Sequence, residues 1–148
     1  MGLNSTNKNL NNVFIKEKNF YKELIKIQKK LNIWKSKKKK QINQITKKYG
    51  PLPAKAFPGR AAILIKLLNL NKNHIFGTFE KPNSKKIGHY IPGTKIPILS
   101  DKYLKKNLTK EKPIINLAWH IEKEIKNYLK LKRIPNQIIN IIDKKDFK

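Results

Sequence analysis

Pro51-Leu52-Pro53-Ala54-Lys55-Ala56-Phe57-Pro58-Gly59-Arg60-Ala61-Ala62-Ile63-Leu64-Ile65-Lys66-Leu67-Leu68-Asn69-Leu70 is the stretch that decides the fold. Gly50 and the two prolines after it stop any helix arriving from the N-terminal side. Residues that precede a proline avoid the α region, so 51–56 is extended and reads as an irregular edge strand. The turn 57–60 follows. From Ala61 the chain is apolar on nearly all sides, broken only by Lys66 and Asn69, which predicts a short buried helix over 61–70. Strand, turn and helix in immediate succession begin an α/β unit.

Working outward, residues 1 to about 12 are polar, and 1–15 reads as a disordered tail. Phe20, Leu24, Ile27, Leu31 and Trp34 then recur at spacings of four and three, which puts them on one face of a helix. Core packing accounts for that stripe. The basic amphipathic segment spans 16–48. Its run 35–40 is almost all lysine, where like charges are expected to end or fray the helix, with 41–48 able to resume it. Downstream, 74–79 reads as a strand and 80–98 as a long irregular loop. A short helix capped by Ser100 is expected over 101–107. Residues 113–118 read as a buried strand, and 120–132 as a helix with Ile121, Ile125, Tyr128 and Leu129 on one face. The last strand is placed within 134–142, with a helix as the alternative. This alternation favours a small, mostly parallel sheet flanked by helices over 49–148.

Composition narrows the function. Cysteine is absent from the 148 residues, which excludes disulfides, thiolate metal sites and cysteine nucleophiles. No apolar run is long enough to span a membrane, and a cytoplasmic location is the default. The net charge of +26, from 35 basic against 9 acidic residues, favours a polyanionic partner such as nucleic acid. Only Arg60 and Arg133 are arginines, however. Dedicated phosphate-gripping surfaces use the planar arginine fork more often. The abundance of Lys, Asn and Ile fits an AT-rich genome with lysine as surface filler, a hypothesis that the gene's base composition would test.

Three segments can carry chemistry. In open parallel sheets ligands sit beyond the carboxyl ends of strands, and 57–60, 80–94 and 118–120 would meet there. Phe57-Pro58-Gly59-Arg60 opens a helix, whose free N–H groups and positive end suit a phosphate. The other reading is a plain strand-to-helix turn with a surface arginine. Between Glu80 and Ile98, Pro82, Pro92 and Pro97 fix φ, while Gly88 and Gly93 permit unusual angles. That loop has a set shape, serving either a ligand or a structural crossover. Glu80 can bond a sugar hydroxyl or pair with a lysine; Tyr90 can contact a ligand or anchor the loop. His74, His89 and His120 have no metal-like spacing. Trp119 can pack while His120 faces the cleft.

Together these segments resemble the C-terminal domain of the S-adenosylmethionine-dependent sugar C-methyltransferases. That family runs from a strand into a Gly-Ala-Pro-Ala-Lys/Arg-Gly/Ala loop and a helix ending Leu-Leu-Asn. Here Ala56-Phe57-Pro58-Gly59-Arg60-Ala61 and Leu67-Leu68-Asn69 stand in that order. An acid and lysines follow in the family, then Gly-x-Tyr/Phe-x-Pro-Gly-Thr-x-Ile-Pro. Glu80, Lys86 and Gly88-His89-Tyr90-Ile91-Pro92-Gly93-Thr94-Lys95-Ile96-Pro97 are similar almost throughout. Leu117-Ala118-Trp119-His120 with Glu124-Ile125 is similar to the family's Leu-x-Trp-Asn/His…Glu-Ile helix start. The similarity covers about residues 50 to 142, with the preceding helix included. It implies a Rossmann-like domain that helps hold a nucleotide-linked, dTDP-type keto-deoxysugar. The contacts it implies are Phe57, Pro58, Gly59, Arg60, Glu80, Lys86, Gly88, Tyr90, Pro92, Gly93, Thr94, Trp119 and His120. The family's zinc-binding cysteines and Gly-rich methyl-donor turn are absent here, so a separate chain is expected to bind the methyl donor, and this chain no cofactor. The competing expectation is a nucleic-acid-binding protein using the lysines of 35–40.

Overall fold

A computed structural model describes the backbone over residues 3–147 and side-chain surroundings over 12–147. The chain begins with a long helix, α1 (Leu3–Tyr49). The strand β1 (Leu52–Lys55) and the helix α2 (Ala61–Leu67) come next. Then follow β2 (Ile75–Glu80), β3 (Ile98–Ser100) and β4 (Ile114–Asn116). The helix α3 (Glu122–Leu131) and β5 (Ile138–Asn140) complete the sheet unit. Short 3-10 turns fill Asp101–Tyr103, Lys105–Asn107 and Trp119–Ile121. Ser100 caps the first of these, its side chain accepting from the Lys102 N–H.

All strand pairings are parallel, in the order β3-β2-β1-β4-β5. The α/β class read from the sequence is therefore the class of the structure. That strand order is the doubly wound one, with its reversal between β1 and β4. One face carries α1 and α2 over a core of Trp34, Ile42, Leu52, Ala54, Ile65 and Ile115. The other carries α3 over Phe79, Leu104, Ile114, Ile125 and Leu129.

Three local expectations are corrected. β1 is the central strand, wholly buried, and not an edge. Its prolines fit because of the pairing geometry. The N–H groups of Leu52 and Ala56 donate to His74 O and Phe79 O on the β2 side, so Pro53 turns its missing donor toward β4. Pairing with β4 starts only at Ala54. Second, α1 is continuous from Leu3, where the sequence put a tail over 1–15, and it runs unbroken through 35–40. Lys38 lies 3.3 Å from Asp146 and donates to Asn140 O, and Lys39 donates to Asn69 O, so two lysines of the run find partners. Third, β3 starts at Ile98, the last residue of the stretch read as loop, and runs through Ser100, where no strand was expected.

Candidate functional site

Because β1 is flanked by β2 and β4 and all three run the same way, their C-terminal ends share one edge. The turn 57–60, Glu80 and the segment 118–120 leave from that edge. Two of the three, 57–60 and 118–120, flank the point where strand order reverses. The connection after β1 passes over one face and the one after β4 over the other, the arrangement at which ligands sit in doubly wound sheets.

Glu80 and Lys86 hold the first turn. Glu80 Oε1 accepts the Phe57 N–H at 2.7 Å, and Lys86 Nζ donates to Phe57 O at 2.6 Å. The two side chains lie 3.7 Å apart. Phe57 is thus gripped at both backbone polar groups. Ala56 adopts φ of +60°, a left-handed angle that an alanine takes only when neighbours enforce it, and Thr78 Oγ1 donates to its carbonyl. Of the two roles open for Glu80, lysine pairing is the one the geometry contains.

The amides at the start of α2 are not free. Ala61, Ala62 and Ile63 donate to the carbonyls of Pro58, Gly59 and Arg60. With α2 only seven residues long, attraction for an anion falls to the side chain of Arg60. That side chain is exposed, and Arg60 forms no ion pair among the described residues.

Across the reversal, Trp119 is half-buried against the core that contains Phe57 and Ala61, while His120 is exposed. Their rings meet edge-on at 5.6 Å. Both line a cavity of about 800 Å³ together with Glu122, Asn140 and Asp143. A hydrogen bond from Lys126 holds the Glu122 carboxyl below the usual carboxylate range, and the Lys145 N–H does the same for Asp143. Lys144 and Lys145 line the same cavity, so it offers carboxylates, an amide and ammonium groups, a mixed set able to bond sugar hydroxyls.

The segment 88–98 leaves this edge. β3 is parallel to β2, so the chain must return to the opposite edge before Ile98. It does so as a hairpin: Ile98 N donates to His89 O, Gly88 N donates to Ile98 O, and Tyr90 bridges Pro97 antiparallel. At the tip, Thr94 Oγ1 donates to Ile91 O and accepts from Ile96 N, and Gly93 takes φ of +74°. Gly93 and Thr94 border a cleft with Asn71, Lys72 and Asn73, which precede β2. Pro92, Gly93 and Thr94 therefore lie away from Arg60 and His120, at the start of the strands. Gly88 and exposed Tyr90 lie between the two ends. These hydrogen bonds give the hairpin its set shape.

One cluster escaped the sequence reading. Lys55, 1% exposed at the end of β1, donates to Asp101 Oδ2 at 3.0 Å and to Phe79 O at 3.0 Å. Tyr128 donates to the same carboxylate oxygen at 2.6 Å. Burial pushes the Lys55 amine below the usual lysine value, with Asp101 opposing the shift. Burial and the neighbouring carboxylate push the Tyr128 phenol up. A lone lysine within an apolar strand was the available signal, hidden by the lysines around it.

Among the described residues no group of three or more His, Asp or Glu side chains is placed to hold a metal. The turn after β1 does not fit a methyl donor either. It has no Gly-rich turn, Glu80 occupies the Phe57 N–H, and α2 uses its own first amides.

A doubly wound parallel sheet with candidate ligand groups at its strand reversal defines the class of protein. The chain belongs to the C-methyltransferase C-terminal domain family, whose model matches residues 4–141 and so takes in most of α1. No curated protein matches the chain.

Proposed function

We propose that this domain binds a nucleotide-linked keto-deoxysugar at the reversal between β1 and β4 and acts with a separate chain that binds the methyl donor. The observation that supports this reading is the strand order β3-β2-β1-β4-β5, whose reversal lies between the strand that leads into Arg60 and the strand that leads into Trp119 and His120. Arg60 meets the diphosphate. The cavity beside Trp119, with ionised Glu122 and Asp143, receives hydroxyl groups of the sugar or ribose. Glu80 and Lys86 fix the turn from which Arg60 projects. In the intact methyltransferase S-adenosylmethionine supplies the methyl group to the carbon beside the sugar ketone. The residues of this chain bind and orient the sugar for that transfer.

Calorimetric titration with a dTDP-linked 4-keto-deoxysugar tests the reading. Binding is expected, with a loss of about tenfold in affinity for Arg60→Ala, the size of one charge-assisted contact. Absence of binding, or binding indifferent to Arg60→Ala, would count against it. Micromolar binding of S-adenosylmethionine to this chain alone would contradict the assignment of the donor to another chain. The nucleic-acid alternative predicts affinity that falls steeply with salt and survives Arg60→Ala. The partners found for Lys38 and Lys39 weaken that alternative.

A further inference from the structure

Among the described residues, the N-terminal half of α1 carries an exposed apolar stripe. Leu31, Trp34, Ile42 and Ile45 join the core beneath the sheet. The same stripe continues toward the N-terminus through Ile27, Leu24, Phe20 and Val13, which are 60, 49, 70 and 51% exposed. Phe14 and Tyr21 widen it and are exposed as well. Core packing was expected along the whole stripe, yet only its C-terminal end is buried.

The spacing describes the missing neighbour. Positions 20, 24, 27, 31 and 34 alternate intervals of four and three, a heptad seam that fits one facing helix. Charge then chooses among occupants. Residues 12–34 hold six lysines against two glutamates; Lys16, Glu23 and Lys30 line one side of the seam, and Glu23 is paired with Lys26. A second copy in parallel register would set Lys30 against Lys35, and each copy carries a net charge of +26. Glu17 stands in the stripe between Val13 and Phe20, so the apolar part of the seam runs from Phe20 toward the core.

We propose that the exposed half of α1 is a docking helix for another protein, whose contact element is an amphipathic helix with an apolar heptad seam flanked by acidic residues. Lys16 and Lys30 pair with those acids, while Phe20, Leu24 and Ile27 fill the seam. This docking does not depend on what binds at the strand ends.

The test uses the full chain and a synthetic peptide of about four heptads, with Leu at a and d and Glu at e and g. Calorimetry should give micromolar binding, weakened at least about tenfold by Leu24→Glu combined with Ile27→Glu. Both positions are exposed, so the double variant should keep the wild-type far-ultraviolet circular dichroism. A peptide of the same composition with the seam scrambled should not bind. The proposal is overturned if the ordered peptide does not bind, or if the scrambled one binds equally well. It is also overturned if the chain alone dimerises through this helix in sedimentation equilibrium, with Leu24→Glu abolishing the dimer. Binding to phosphatidylserine vesicles in preference to the ordered peptide would overturn it too.

Discussion

Asp101→Asn should unfold this domain far more readily than any surface change, and the cluster around Lys55 sets the size of the effect. Lys55 and Asp101 are almost wholly buried, with side chains 2% and 5% exposed and 3.0 Å between their charged atoms. Asparagine keeps the shape of the carboxylate but leaves the ammonium without its counter-ion. Removing one partner of such a pair costs about 3–5 kcal/mol. Glu80 also attracts Lys55, so the low end, about 3 kcal/mol, is expected. For a chain of this size that lowers the melting temperature by about 6–12 °C. The triple variant Lys55→Met, Asp101→Leu, Tyr128→Phe removes the charges and the orphaned hydroxyl together. Phe79 O keeps its bond from Ala56 N, so no backbone acceptor is stranded. The triple variant should recover to within about 1 kcal/mol of wild type. Urea unfolding followed by far-ultraviolet circular dichroism measures both. The reasoning is refuted if Asp101→Asn costs under about 1 kcal/mol, or if the triple variant is no more stable than Asp101→Asn.

Other consequences can be checked alongside. Trp34→Ala should cost about 3–5 kcal/mol in the same urea assay, since Trp34 is 1% exposed and stacked on Phe147. Trp34→Phe should cost far less, because the buried indole N–H has no hydrogen-bond partner to lose. Glu80→Gln should loosen the turn at Phe57, seen as faster amide exchange at residue 57 with little change at 94. His74 is held below the usual histidine value by burial and by Lys39, which donates to its Nε2. The unfolded chain therefore takes up a proton near pH 6.5 that the folded chain refuses, and His74 withdraws stability as pH falls below that value. The loss levels off below the folded pKa. Urea midpoints at pH 7.5 and 5.5 should differ more for wild type than for His74→Gln.

Particular residues show what the sequence could and could not disclose. The extended 51–56, the apolar 61–70 and the strand–helix–strand after 113 were enough for a parallel α/β sheet, because helical and strand periodicities are local properties. The centrality of β1 was not legible. It depends on which side of the strand Pro53 presents and on where β4 begins to pair, both tertiary facts. β3 was missed because three residues beside Pro97 give no periodicity. The break expected at 35–40 does not occur, because the lysine run was weighed as repulsion alone, without the distant Asp146 and Asn140 that receive Lys38. At the site, the strand-end rule brought 57–60, Glu80 and 118–120 to one edge correctly. It failed for 92–94, since only the parallel pairing of β3 reveals that this segment returns to the other edge.

The account stands most directly on amide chemical-shift mapping of the isotope-labelled chain titrated with a dTDP-linked 4-keto-deoxysugar. Saturable shifts should appear at residues 57–60 and 118–121, with Gly93 and Thr94 unmoved. Shifts centred on Gly93, Thr94 and Asn71–Asn73, or none at any concentration reached, would contradict it.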